Sequence, residues 1–432
     1  MQTLDVGLVG LGTVGSGVAR ILTENGDCVA RNAGRRLRLA QVVVRDKTKP
    51  RNCQLPDGIV SEDLEKILDD ARITVVAQLI GGLEPARTIM RRLLEAGKDV
   101  ITANKALLAE HGPELFEVAR GLHRSIAFEA SVAGGVPIVT NISQCLSGNQ
   151  ITSLSGILNG TSNFIVSQME QTGTEYADAV AEAQQRGYAE ADPTMDVDGT
   201  DAVQKLAILA QLAFRARVDW HDIPRTGIER LNPVDLKYAA ELGYRIKLLA
   251  VANLAPAGLE LHVSPTLVRI GTPLGEVRGA YNAVNIMGDA VGQVFFHGLG
   301  AGQMPTASAV MADLIDTAIG RTQLTFQTLN LWQHEAPVEL GDPDLVPGRY
   351  YLRLAVDDHP GVLAEIAGVL AQHQISIASV IQHEPPSESD SPGVLLVIMT
   401  HTAAEGPMSA AGQAIQNLKS VCGEIIKMRI LD

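Results

Sequence analysis

The stretch LDVGLVGLGTVGSGVARIL, residues 4–22, restricts the fold of this chain more than any other, because an apolar strand runs through a glycine turn directly into an amphipathic helix. Strand and helix can bury their apolar faces together only by packing back to back. The GLGTVG segment (10–15) matches G-x-G-x-x-G. In that pattern Gly10 permits the turn, Gly12 lets the backbone approach a pyrophosphate, and Gly15 lets the helix lie close to the strand. Thr13 and Val14 begin a helix whose N-terminus faces the phosphates. The hexapeptide alone is a weak signal, and a glycine-rich turn with no ligand would read the same. The flanking strand and helix supply the context that a dinucleotide site needs.

The alternation continues. LRLAQVVVRD (37–46) reads as a second strand, ITVVAQLIGG (73–82) as a third and DVITAN (99–104) as a fourth, with a helix over 84–96 between the last two. A helix from Lys105 to about Gly121 and the strand SIAFEAS (125–131) complete a parallel, doubly wound α/β sheet. Ligands of such sheets sit beyond the carboxyl ends of the strands, where Gly81-Gly82, Asn104-Lys105 and Glu129 fall. After the second strand an NAD site places an acidic residue for the ribose hydroxyl. Here Arg45 stands there, with Lys47, Lys49 and Arg51 close behind, so a 2′-phosphate is accommodated and NADP is permitted. Asp46 keeps NAD open, and a solvated loop of mixed charge remains the plain alternative.

At 432 residues the chain exceeds one ordinary core, and a usual domain size of about 100–200 residues implies two or three domains. A net charge of −14, with no basic stripe interleaved with aromatics, argues against nucleic acid as a partner. No apolar run approaches the roughly 20 residues that span a bilayer, and the first strand begins too early for a secretory signal, so no membrane association is expected. Four cysteines, Cys28, Cys53, Cys145 and Cys422, lie far apart without metal-ligand spacing, which fits free thiols in the cytoplasm.

SVAGGVPIV (131–139) leaves the sheet through glycines and a proline, which sets the boundary of a first domain over 1–132. The backbone carbonyls of that loop, beside the Glu129 carboxylate, are hard oxygen donors suited to a small cation. Residues 133–303 mix the strands QITSLSGIL, YRIKLLAVANL and VNIMGDAVGQVFF with several helices, an α+β domain. HGLGAGQMPTASAVMADLIDTA (297–318) ends in a long helix whose apolar face is expected to return to the first sheet within 304–340. Beyond a linker between Pro337 and Pro347, residues 350–432 spell βαββαβ, a split ferredoxin-like unit, with EPPSESDSP (384–392) as its exposed loop.

Polar groups crowd GYAEADPTMDVDGTDAVQKLAILAQL (187–212), a segment otherwise built for burial. Asp198-Gly199-Thr200 caps and turns into a helix that starts near Gly199, so Asp201 and Lys205 project from one side on successive turns. Glu190 and Asp192 precede Pro193, which leaves both carboxylates on a loop. One ammonium and several carboxylates thus face a common cleft. The alternative is a solvated i,i+4 pair contributing about 0.2–0.5 kcal/mol. Against it, AILAQLAF is apolar nearly all round and belongs to an interior helix, where a lysine requires a partner or a task.

Taken together, GLGTVGSGV, TANKALLAEHG (102–112), EASVAGGVPIV, LNGTSNFI (158–165), RGYAEADPTMDVDGTDAVQKLAIL (186–209) and GLGAGQMPTASAV (298–310) resemble homoserine dehydrogenase of the three-domain kind with a C-terminal ACT domain. The likeness runs end to end. It implies reversible oxidation of L-homoserine to L-aspartate 4-semialdehyde with NADP or NAD, a step toward threonine and methionine. Carried onto this sequence, it makes Lys205 the proton-transferring residue, Glu190 and Asp201 substrate ligands, and Lys105 a residue at cofactor and substrate. Glu129, Val132, Gly134 and Val136 match the family's monovalent-cation loop for sodium or potassium. Gly187 and Gly302 match backbone positions near the substrate and nicotinamide. An amino-acid effector, threonine foremost, is implied at the ACT domain near Asp358-His359-Pro360-Gly361, together with a homodimer or homotetramer.

Two other readings compete. An aspartate-semialdehyde dehydrogenase needs an activated thiolate, and NISQCLSG gives Cys145 no activating neighbours. A catalytically silent NAD(P)-binding amino-acid sensor has no use for Glu190, Asp201 and Lys205 together.

Overall fold

The structure, a computed structural model, describes residues 2–51, 53–332, 338–383 and 393–431, so the expected loop at 384–392 lies outside the described residues. Strand β1 (Thr3–Val9) feeds the glycine turn, and helix α1 (Thr13–Glu24) leaves it. Then come β2 (Arg36–Val43), β3 (Val60–Ser61), β4 (Ile73–Gln78), α2 (Ala86–Glu95), β5 (Asp99–Thr102), α3 (Lys105–Gly121) and β6 (Ile126–Ala127). They form a six-stranded sheet in the order β3-β2-β1-β4-β5-β6, and every pair is parallel. The strand order reverses between β1 and β4, and the crevice where a doubly wound sheet holds its ligand lies at their carboxyl ends.

Further along lie β7 (Ile151–Ile157), α4 (Thr200–Phe214), α5 (Pro233–Glu241), β8 (Tyr244–Ala255), β9 (Gly258–Arg269), β10 (Tyr281–Gly288), β11 (Gly292–Leu299) and α6 (Gln303–Ala318). The chain ends with β12 (Pro347–Val356), α7 (Val362–Gln372), β13 (Ile377–Gln382), β14 (Val394–Thr400), the short β15 (Ala403–Ala404), α8 (Glu405–Gln416) and β16 (Ile426–Leu431).

Two compact units divide the chain. The first comprises Met1–Gly160, Asp201–Ile223 and Ala280–Glu339. Besides the parallel sheet it holds β7, β10 and β11 as an antiparallel set with β10 in the middle. Helix α6 lies on α1 so closely that a Cβ on Gly17 would stand 2.8 Å from the Ala307 Cβ. Ala307, Val310 and Leu314 of α6 join Val6, Leu8 and Val18 in one core.

The second unit comprises Thr161–Thr200, Pro224–Gly279 and Leu340–Asp432. Its β8 and β9 pair antiparallel, β9 pairs with β16 in parallel, and β12 lies between β16 and β14 with β13 beyond β14. Tyr350, Leu352 and Leu354 of β12, Ile366 of α7 and Met408 of α8 make a core between this sheet and its two helices.

Three local readings change. VNIMGDAVGQVFF is a hairpin, not one strand, because Gly288 and Gly292 flank a turn and Gly292 adopts φ +74°. SIAFEAS pairs only at Ile126–Ala127 before Glu129–Ser131 coils into a 3-10 turn. Helix α5 and strand β9 were not expected at all. The signal for α5 was present, since Asn232 caps it in a box with Asp235 and Pro233 stands in its first turn. Among the described residues no helix is long and apolar enough to cross a membrane.

Candidate active site

Beyond the carboxyl ends of β1, β2 and β4 opens a cleft of about 960 Å³ lined by Gly10, Gly12, Thr13, Arg45 and Gly81 among others. Each glycine of the turn has its own steric reason. Gly10 sits at φ +95°, and a Cβ there would come within 2.9 Å of the Leu79 carbonyl oxygen. A Cβ on Gly15 would stand 2.2 Å from the Gly10 carbonyl oxygen, so only glycine allows α1 to start where it does. At Gly12 a Cβ would meet nothing within 4 Å. The space it leaves open has room for a phosphate group to approach the backbone, and α1 has no side-chain cap competing for its first N–H groups. Val14 and Gly15 lie behind the cleft surface in the first turn of α1, while Gln303, not Gly302, lines its far side.

Arg45 is exposed and pairs with no carboxylate among the described residues, so its guanidinium stays available to a ligand in the cleft. Asp46 also lines the cleft, with one of its two carboxylate oxygens engaged locally. Its Oδ1 accepts the Thr48 N–H at 2.8 Å and the Thr48 hydroxyl at 2.6 Å, hydrogen bonds that hold its carboxyl below the usual range. Arg51 donates to the carbonyls of Asp46, Lys47 and Lys49 and so braces the same loop.

Lys105 owes its place to Asn104. The Asn104 side chain accepts the Leu107 N–H at 3.1 Å, capping α3, and donates to the carbonyls of Ile80 (3.1 Å) and Gly82 (2.7 Å). One amide therefore ties the start of α3, where Lys105 stands, to the loop after β4, whose Ile80 and Gly81 line the cleft. Asp201 and Lys205 sit on α4, which is buried from Asp201 to Gln211. Lys205 Nζ donates to Asp201 Oδ2 at 2.7 Å and to the Leu158 carbonyl at 2.7 Å. Lys105 Nζ stands 3.0 Å from Asp201 Oδ1. Asn159 Nδ2 donates to Asp201 Oδ2 at 2.9 Å, and Asn282 Nδ2 donates to the Leu158 carbonyl at 3.0 Å.

One carboxylate thus bridges two ammonium groups inside the protein. Burial alone raises the pKa of Asp201, but the charges of Lys205 and Lys105 and the hydrogen bonds from Lys205 and Asn159 outweigh it and hold the carboxyl well below the usual carboxylate range. The side chains of Asp201 and Lys205 are 7% and 11% exposed and that of Lys105 is 35% exposed, so the solvated-pair alternative does not describe this helix.

Glu129 lies in the same unit under a different roof. Its carboxylate accepts the N–H groups of Val139 (2.9 Å) and Thr140 (2.7 Å) and the Thr140 hydroxyl, while its own N–H donates to Asp313 Oδ2 at 2.9 Å. Burial pushes the Glu129 carboxyl up against those bonds; burial and the neighbouring Glu129 push Asp313 up much further. Ala133 (φ +55°) and Gly134 (φ +51°) turn the loop through two left-handed residues, and Gly135 anchors it by donating to the Leu299 carbonyl at 2.9 Å. The Val136 carbonyl accepts the Ile138 N–H. Val132 is fully buried in this loop.

Gly187 (φ +73°) and Glu190 belong to the second unit, where both are exposed and the Glu190 carbonyl accepts from Gln184 Nε2 at 3.2 Å. Asn159, Asn282 and the Leu158 carbonyl went unnoticed in the sequence. LNGTSNFI drew attention to the region of Asn159, but nothing in the sequence of β10 marks Asn282.

The family models point the same way as this geometry. The model described as homoserine dehydrogenase, NAD binding domain, matches residues 10–129, that for homoserine dehydrogenase matches 137–315, and that for the ACT domain matches 350–420. The homoserine dehydrogenase of Pseudomonas aeruginosa is 41% identical over 437 residues, covering 100% of this chain and 99% of its own. A crystal structure of a homoserine dehydrogenase from Thiobacillus denitrificans superposes with a TM-score of 0.90 at 41% identity, over 100% of this chain and 99% of that one. A hyperthermophilic archaeal homoserine dehydrogenase in complex with NADPH matches at a TM-score of 0.60 and 25% identity, over 73% of this chain and 97% of that one. Identity and fold both extend over the whole length, and the chain therefore belongs to the homoserine dehydrogenase family.

Proposed function

We propose that the chain interconverts L-homoserine and L-aspartate 4-semialdehyde, with Lys205 handling the hydroxyl proton. The observation that carries this reading is the buried Asp201 carboxylate held between Lys205 and Lys105. The nicotinamide, when bound, accepts the hydride from the carbinol carbon. As a neutral amine, Lys205 has two N–H groups, matched by Asp201 Oδ2 and the Leu158 carbonyl, and its lone pair is left for the substrate hydroxyl. Taking the proton as the hydride departs makes the aldehyde and an ammonium. In the reverse direction that third N–H returns the proton to the carbonyl oxygen. Lys105 holds the other oxygen of Asp201 and positions cofactor and substrate. Asp201 already receives three donors, so its main service is to fix both lysines, which leaves Glu190 as the carboxylate for the substrate ammonium, with Gly187 beside it. Steady-state oxidation of homoserine with NAD and NADP side by side tests the reading; no homoserine-dependent reduction of either nucleotide would dismiss it.

NADP is the favoured nucleotide, because Arg45 lines the cleft and pairs with no carboxylate among the described residues, while one oxygen of Asp46 is engaged with Thr48. The cleft glycines, Gly302 and Lys105 complete the cofactor set. A sodium or potassium ion held by Glu129 and the carbonyls of Val132, Gly134 and Val136 fits a loop that places a carboxylate in a buried bend. Glu129 Oε1 accepts one N–H and keeps a lone pair for it. The ion would offset the charge of Glu129 and stiffen the bend, and a melting temperature that rises with potassium or sodium but not with a bulky organic cation supports it. For an effector such as threonine, the turn Asp358-His359-Pro360-Gly361 opens α7 without a side-chain cap, which suits a carboxylate. A homodimer or homotetramer accords with Tyr281, Met287 and Leu299, exposed on β10 and β11.

A further inference from the structure

Asn282 is 1% exposed, lies on β10, and belongs to none of the motifs that mark the site. Its amide is gripped on its flat side by Gly300, where a Cβ would come within 2.0 Å of the Asn282 Cγ. The orientation of the amide follows from its neighbour. The Leu158 carbonyl, 3.0 Å away, is an acceptor, so the group facing it is the NH₂ and not the oxygen. That same carbonyl is the one on which Lys205 rests at 2.7 Å. At the other end of the amide, Oδ1 is buried with no hydrogen-bond partner among the described residues, a costly arrangement for a group that merely fills space.

From this shared acceptor, and resting on the reading of Lys205 as the proton-handling residue, we propose that Asn282 is a positioning residue that sets the pH at which homoserine oxidation turns on. A carbonyl already accepting from Asn282 is a weaker and fixed acceptor for Lys205. An ammonium gains more from a strong acceptor than a neutral amine does, so Asn282 tips the balance toward the amine that accepts the substrate proton. The charged groups coupled to Lys205 are Asp201 on its own helix and, across Asp201, Lys105 of α3; Leu158 and Asn282 bring neutral dipoles. Removing the Asn282 donor releases the carbonyl to Lys205 alone and favours the ammonium.

The test is the pH profile of kcat in the oxidation direction for wild type, Asn282→Leu, Asn282→Asp and Lys205→Ala. In Asn282→Leu, close in size but without a donor, the rising limb should move to higher pH by roughly half to one unit, while the plateau at high pH is largely kept. In Asn282→Asp, which preserves shape best but adds an acceptor, the limb should move further in the same direction. Urea unfolding of each variant shows how much of any loss is folding. Lowered activity at every pH with an unmoved midpoint would reduce Asn282 to a packing role and overturn the proposal, leaving Lys205 untouched. Survival of the same midpoint in Lys205→Ala would remove the reading beneath it, and this inference with it.

Discussion

Asp201→Asn keeps the shape of the side chain and removes the charge between two lysines, so it measures what the buried bridge contributes. With Asp201 and Lys205 at 7% and 11% side-chain exposure, the pair falls in the buried class, where loss of one member costs about 3–5 kcal/mol because the other charge is left without compensation. Lys105, 35% exposed, adds no more than the ~0–1 kcal/mol of a surface pair. Asparagine still offers one oxygen to Lys205, which places the expected loss at the low end, about 3 kcal/mol. In urea, with a slope of roughly 3 kcal/mol per molar, the midpoint should fall by about 1 M. The difference also depends on pH. The folded-state pKa of Asp201 is depressed, so its stabilisation is present above the unfolded carboxyl pKa of about 3.9 and is lost as pH falls through the folded value. Wild type and variant should therefore differ in full at pH 7 and begin to converge only as pH falls below about 4. A midpoint within about 0.2 M of wild type at pH 7, roughly 0.6 kcal/mol at that slope and far short of the expected loss, would mean that the bridge is solvated and that the site has been misread.

Gly12→Ala and Gly15→Ala should part company: the first, whose Cβ meets nothing within 4 Å, should fold normally and bind nucleotide weakly, whereas the second, 2.2 Å from the Gly10 carbonyl oxygen, should be destabilised by about 1–3 kcal/mol. Melting curves and nucleotide titrations of both variants check this, and equal stability would count against the packing argument. Arg45→Ala should raise the KM for NADP at least tenfold while the KM for NAD changes little, because a guanidinium lining the cleft would recognise a 2′-phosphate that NAD lacks; equal effects would return Arg45 to the role of a solvated loop residue.

The parts of the site that the sequence discloses are those whose chemistry and geometry lie within a few residues of each other. Gly10, Gly12 and Gly15 carry their reasons in one turn, Lys105 follows directly on a strand end, and Asp201 and Lys205 share a helix face by spacing alone. Burial of that face also showed through, in the apolar run behind it. What stayed hidden is assembled at long range: Asn282 reaches the Leu158 carbonyl from 124 positions away, and Gly300 presses on its amide. Strand β9 is hard to read because Pro265 stands in its middle, where a proline speaks against a paired strand, although Leu259, Leu261, Val263 and Leu267 alternate with polar residues and pairing with β8 runs along its whole length. The hairpin of β10 and β11 was joined into one strand because its turn contains apolar residues.

The claim on which the account stands is that Lys205, not Lys105, moves the proton, and the pH dependence of homoserine oxidation in Lys205→Ala and Lys105→Ala tests it most directly. Lys205→Ala should lose kcat and kcat/KM together, by roughly 10²–10⁴-fold, and the rise of kcat with pH should disappear. Lys105→Ala should keep that rise and show its loss chiefly in KM. A pH dependence that persists in Lys205→Ala and vanishes in Lys105→Ala would contradict the account and hand the proton to Lys105.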